Sequence, residues 1–142
     1  MVLVKPTTFM NLSGEAVAAL IGFYKIDLVD VFVVCDDVNL PVGRLRARPD
    51  RTTGGNNGLA SVAASLGTNG FARLRIGVGR GDPRRDLADH VLSRFTPEEL
   101  PVVEAATTRA ADAAEMWIGD GIGQVMNTFN RPGDEQPEDT QE

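Results

Sequence analysis

Cysteine and histidine are almost missing from this chain: 142 residues contain one of each, Cys35 and His90. A single thiol excludes a disulfide within these residues, and one cysteine with one histidine cannot build the shell of a structural zinc site. No apolar run approaches the length of a membrane span, and Met1-Val2-Leu3-Val4-Lys5 is too short to act as a signal peptide. A cytoplasmic protein that avoids the membrane is therefore expected. No metal and no cofactor are expected either, because the Asp36-Asp37 pair has no nearby histidine or third carboxylate to complete a coordination shell.

What is present suits one soluble domain. A hydrophobic content of 42% over 142 residues is enough for a sizeable core and too little chain for two comfortable ones. The net charge of −6 hides two opposed regions. From Arg131 to Glu142 five acidic residues face one arginine, and the segment lacks apolar residues, so it is expected to be an acidic disordered tail beyond a domain at 1–130. Between Arg44 and Arg85 nine arginines face only Asp50 and Asp82. All nine cations being arginine favours planar, bidentate contact with phosphates or carboxylates, and hence a polyanionic partner.

In chain order, Val2-Leu3-Val4 reads as a short buried strand, followed by a loop in which Asn11 or Ser13 can cap a helix. Ala16, Val17, Leu20, Ile21 and Tyr24 repeat at helical spacing to about Lys25. Val31 to Cys35 is an unbroken, largely β-branched run expected of a strand covered on both faces. It ends in Asp36-Asp37, where an open α/β sheet usually binds ligands. Alternation in Arg44-Leu45-Arg46-Ala47-Arg48 and in Arg73-Leu74-Arg75-Ile76 predicts two basic stripes, each opposite an apolar face.

Gly54-Gly55-Asn56-Asn57-Gly58-Leu59 then opens a helix marked by Leu59, Val62, Ala63 and Leu66, which stops at Gly67. Gly77 to Pro83 is expected to be a strand end and turn, because it lacks the spacing of a phosphate-binding fingerprint. Asp86 to Phe95 is expected to be a short helix carrying His90 in a packing or surface role. Thr96-Pro97-Glu98-Glu99 predicts a capping box that starts a long helix, broken at Gly119-Asp120-Gly121 before a last short helix near Gly123 to Phe129.

Five ordered blocks carry a family resemblance: Lys5 to Gly14, Asp36 to Gly43, Gly54 to Leu59, Arg73 to Gly79, and Ala114-Glu115-Met116-Trp117. In order and spacing they resemble bacterial peptidyl-tRNA hydrolases over nearly everything except the acidic tail. The resemblance implies a single α/β domain, a twisted mixed β-sheet with helices on both faces. It also implies an esterase that cuts the bond between peptide and tRNA to recycle tRNA from prematurely released peptidyl-tRNA. In the family a histidine is the general base for the attacking water, and an aspartate, matched by Asp36, orients it. Asn11 and Asn57 match active-site asparagines that hold the peptide backbone and stabilise oxyanion charge. Met10 matches a residue of the peptide groove. Arg48 and Arg75 match positions expected to touch tRNA phosphates, and Arg46 and Arg73, on the same stripes, are expected to bind tRNA with them.

Two departures from the family pattern qualify this expectation. The family's catalytic histidine lies in an N-terminal segment, with a central first strand, that these residues do not include, so the chain is expected to be N-terminally truncated and poorly active alone. Position 56, usually histidine and expected to touch substrate, is Asn56, which cannot titrate near neutrality. The complete family form is expected to be monomeric. The alternatives are a non-catalytic RNA-binding relative and an unstable gene fragment.

Overall fold

β-Branched runs form a small mixed sheet, and amphipathic helices cover its two faces. The computed structural model describes residues 1–9, 12–50, 53, 55–81, 84 and 93–130. In chain order the elements are α1 (Ser13–Tyr24), a single 3-10 turn at Leu28–Asp30, β1 (Phe32–Asp37) and β2 (Leu45–Arg48). They continue with α2 (Asn57–Leu66), β3 (Ala72–Gly77), α3 (Leu100–Asp120) and α4 (Ile122–Phe129). The strand order is β1-β3-β2, with β1 parallel and β2 antiparallel to the central β3. The fold is α/β, with a mixed sheet and four helices among the described residues.

The two cores follow from strand alternation. Leu45, Ala47 and Leu74 pack with Ala106, Ala110 and Ala113 of α3 and Val125 of α4, and Phe32 stacks on Trp117 at 4.9 Å. The three alanines leave room for α3 to lie close to the strands. The other cluster joins Val31, Leu59, Val62 and Phe71, with Val33 and Cys35 of β1 and Val17 and Ile21 of α1 packed around it. Residues 33 and 35 thus go with α1 and α2, while residue 32 goes with α3, as a period of two requires.

Helix ends are set locally. α2 stops at Gly67 with φ of 74°, and α1 stops at Lys25 with φ of 55°. The capping box is present: Thr96 N donates to Glu99 Oε1 at 2.9 Å and Glu99 N to Thr96 Oγ1 at 3.2 Å, immediately before α3. At the outer edge of β2, the Asn130 side chain imitates a strand, its Oδ1 accepting from Ala47 N at 2.7 Å and its Nδ2 donating to Ala47 O at 2.9 Å. That amide satisfies an edge that would otherwise offer both groups for pairing.

Several expectations are corrected. Val2, Leu3 and Val4 are exposed and outside any strand, at 46%, 84% and 45%. A strand needs a neighbour for its backbone groups, and none pairs there among the described residues. Among the described residues β1 is an edge strand, and its Val34 is 48% exposed, so it is not covered on both faces. The N-cap of α1 is Leu12, without a side-chain cap, and Ser13 is already helical. α3 continues through Gly119 and breaks only at Gly121. The helix expected at Asp86 to Phe95 lies largely outside the described residues, and Ser93 to Phe95 are not helical.

Candidate active site

The carboxyl end of β1 delivers two adjacent carboxylates, and alternation gives them different partners. Asp37 is turned into the structure: its Oδ1 accepts from Asn39 N at 2.7 Å and its Oδ2 pairs with Arg75 Nη1 at 3.4 Å. Asp36, half-buried, meets the mouth of α2. Asn56 Nδ2 donates to Asp36 Oδ1 at 3.1 Å and to the Asp36 carbonyl at 3.0 Å. The same side chain caps the helix, its Oδ1 accepting from Leu59 N at 2.9 Å.

The approach to α2 requires its glycine. Gly55 has φ of 78°, a left-handed conformation that turns the chain so that Asn56 N can donate to Thr53 O at 3.1 Å. Asn57, the first residue of α2, is exposed beside this turn. The other wall is the connection from Asp37 to Arg44, pinned to the end of β3. Val78 N donates to Asp37 O at 3.0 Å, Gly79 N to Leu40 O at 3.0 Å and Gly77 N to Arg44 O at 2.7 Å. A side chain at residue 77 would collide with this wall, since a Cβ there would lie 2.0 Å from Pro41 O. Asp36 is therefore held on a rigid rim.

The basic stripes share a face but do not form an exposed surface. Register places Arg46 opposite Arg75 and Arg48 opposite Arg73. Arg48, Arg73 and Arg75 are buried, at 1%, 0% and 3% exposure, and Arg46 is half-buried. Alternation decides which face a side chain joins, not what covers that face, and β3 is central. Like charges directly across a ladder repel. Here Arg75 is offset by Asp37, and Arg73 donates to the carbonyls of Asn69 and Phe71 while its guanidinium lies 4.4 Å from the Phe71 ring centroid.

Cys35 on β1 is held as the neutral thiol, the poorer nucleophile. Burial pushes its thiol up to about 12, and the pull of Arg75 in the opposite direction is too weak to reverse this. Met10, Asn11 and His90 lie outside the described residues. The bridge made by Asn56 went unforeseen. Its capping half was available in the sequence, as an asparagine three residues before Leu59 in front of a helical run. Its reach to Asp36, 20 residues away, had no local signal.

A family model described as peptidyl-tRNA hydrolase matches residues 1–138. The chain belongs to the peptidyl-tRNA hydrolase family. A peptidyl-tRNA hydrolase of Geobacillus thermodenitrificans (strain NG80-2) is 51% identical over 128 residues, which are 90% of this chain and 69% of that protein. One from Bacillus cereus (strain Q1) is 46% identical over 129 residues, 91% of this chain and 69% of its own length. The crystal structure of peptidyl-tRNA hydrolase from Acinetobacter baumannii matches with a TM-score of 0.80 and 30% identity, covering 88% of this chain and 63% of that chain. The chain thus spans about two thirds of the length of these peptidyl-tRNA hydrolases.

Proposed function

We propose that the site at the end of β1 hydrolyses the ester between peptide and tRNA, recycling tRNA from prematurely released peptidyl-tRNA. The observation that carries this reading is Asp36, fixed by two hydrogen bonds from Asn56 at the mouth of α2 in a chain of this family. A carboxylate so held can accept the N–H of an imidazole and leave its other nitrogen free to take a proton from water. Asn57, exposed at the start of α2, is assigned to the substrate's peptide and to oxyanion charge, together with Asn11, and Met10 to the peptide groove. Arg46 is the member of the basic face assigned to tRNA phosphates. Arg48, Arg73 and Arg75 support it through their field and by shaping the sheet.

No histidine stands against Asp36 among the described residues, and His90 is the sole histidine of these 142. That favours a second reading, in which the chain binds tRNA without turning it over. The two separate in one assay, with protein in excess over an N-blocked aminoacyl-tRNA at low salt, where phosphate contacts are strongest. The 142-residue chain is expected to release the acyl group slowly but above the buffer rate, an increment that Asp36→Asn removes. Binding of the tRNA with no increment supports the binding-only reading. Release as fast as by a full-length family member refutes the expectation of poor activity.

A further inference from the structure

We infer that Asn56 is a positioning residue for Asp36, and that it does not contact substrate. This rests on the functional reading just given for Asp36. The polar atoms of the Asn56 side chain are committed: both donations from Nδ2 go to Asp36, and Oδ1 accepts from Leu59 N. An amide offers two N–H donors and one carbonyl oxygen, so little remains for a ligand. The substrate-contact role expected for residue 56 is therefore replaced by an internal one, and Asn57 is the asparagine left exposed.

The geometry has a chemical consequence. By holding Oδ1 and the main-chain carbonyl of the same residue, Asn56 fixes both the position and the rotation of the Asp36 carboxyl group. Oδ2 makes no hydrogen bond among the described residues. It is the oxygen left to receive an imidazole N–H. Because Oδ1 of Asn56 is also the cap of α2, the carboxylate is tied to the helix whose first residue is Asn57. Asp36 and Asn57 are thereby kept in one frame by a side chain whose hydrogen bonds to Asp36 and Leu59 are all internal. A neutral amide does this without competing for the proton that the site must move, as a titratable residue at 56 would.

Asn56→Ser separates the two halves of the role. Serine still caps the helix through its hydroxyl but is too short to hold the carboxylate as the amide does. In the intact 142-residue chain, Asp36→Asn should move the Asn56 side-chain amide resonances, because both of its N–H contacts are to Asp36. With free imidazole supplied as base, Asn56→Ser should slow ester hydrolysis by about 10-fold or more, since a small misplacement of a catalytic group costs this much. In the Asp36→Asn background the same substitution should change nothing further. Amide signals unmoved by Asp36→Asn would overturn the proposal, as would equal slowing of wild type and Asp36→Asn by Asn56→Ser. Signals that respond to Asp36→Asn while that substitution costs no rate would instead overturn the functional reading of Asp36 and, with it, the catalytic meaning of the contact.

Discussion

At Cys35, apolar neighbours from α1, α2 and β1 hold the thiol neutral, with its pKa raised from 9.0 to about 12. The folded value lies above the unfolded one, so the folded chain binds this proton more tightly. The stabilisation is complete below about pH 9 and is lost as pH climbs from there towards 12. Urea midpoints measured from pH 8 to 11 should fall more steeply for the wild type than for Cys35→Ala; parallel declines would contradict this. The residue scale is also where the sequence was least legible. Asp36 at the end of an apolar run is legible in the sequence, but its partner Asn56, 20 residues away, leaves no local signal. Arg73 was correctly placed on a face with Arg75, yet periodicity carries no information on coverage, and both proved buried.

Among elements, α1 lies close against α2. Gly14 lies where a Cβ would be 2.0 Å from Ser61 O, and its N–H donates to Ser61 Oγ at 2.8 Å. Gly22, two turns further along the same helix, has nothing within 4 Å of such a Cβ. Alanine should therefore act in opposite directions at the two sites. Gly14→Ala is expected to cost about 2 kcal/mol or more, through backbone that must move apart. Gly22→Ala is expected to add about 0.5–1 kcal/mol through helix propensity. Thermal unfolding followed by circular dichroism compares them directly, and a loss of equal size at both would show that α1 does not sit on α2 as described. Helix boundaries with their own chemistry, such as Gly67 and the Thr96–Glu99 box, were readable in advance. Val2–Val4 was not, because a strand exists only with a partner, and hydrophobicity alone does not supply one.

Over the whole molecule, ordered blocks were more informative than composition. A net charge of −6 suggests no nucleic-acid partner, whereas nine arginines between residues 44 and 85 do. Of these, Arg48, Arg73 and Arg75 form a buried charged layer in the sheet, Arg44 and Arg46 are half-buried beside them, and Arg80 and Arg84 are exposed. The α/β fold and the family follow from motifs spread along the chain, and α/β architecture alone would not have indicated ester hydrolysis. The account depends on Asp36 being poised to orient an imidazole that the described residues do not include. Its most direct test is the rate of N-blocked aminoacyl-tRNA hydrolysis as free imidazole is raised, for the wild type and for Asp36→Asn. The account predicts a saturating acceleration by the wild type above imidazole alone, absent from Asp36→Asn. Equal rates for the two proteins at every imidazole concentration would contradict it.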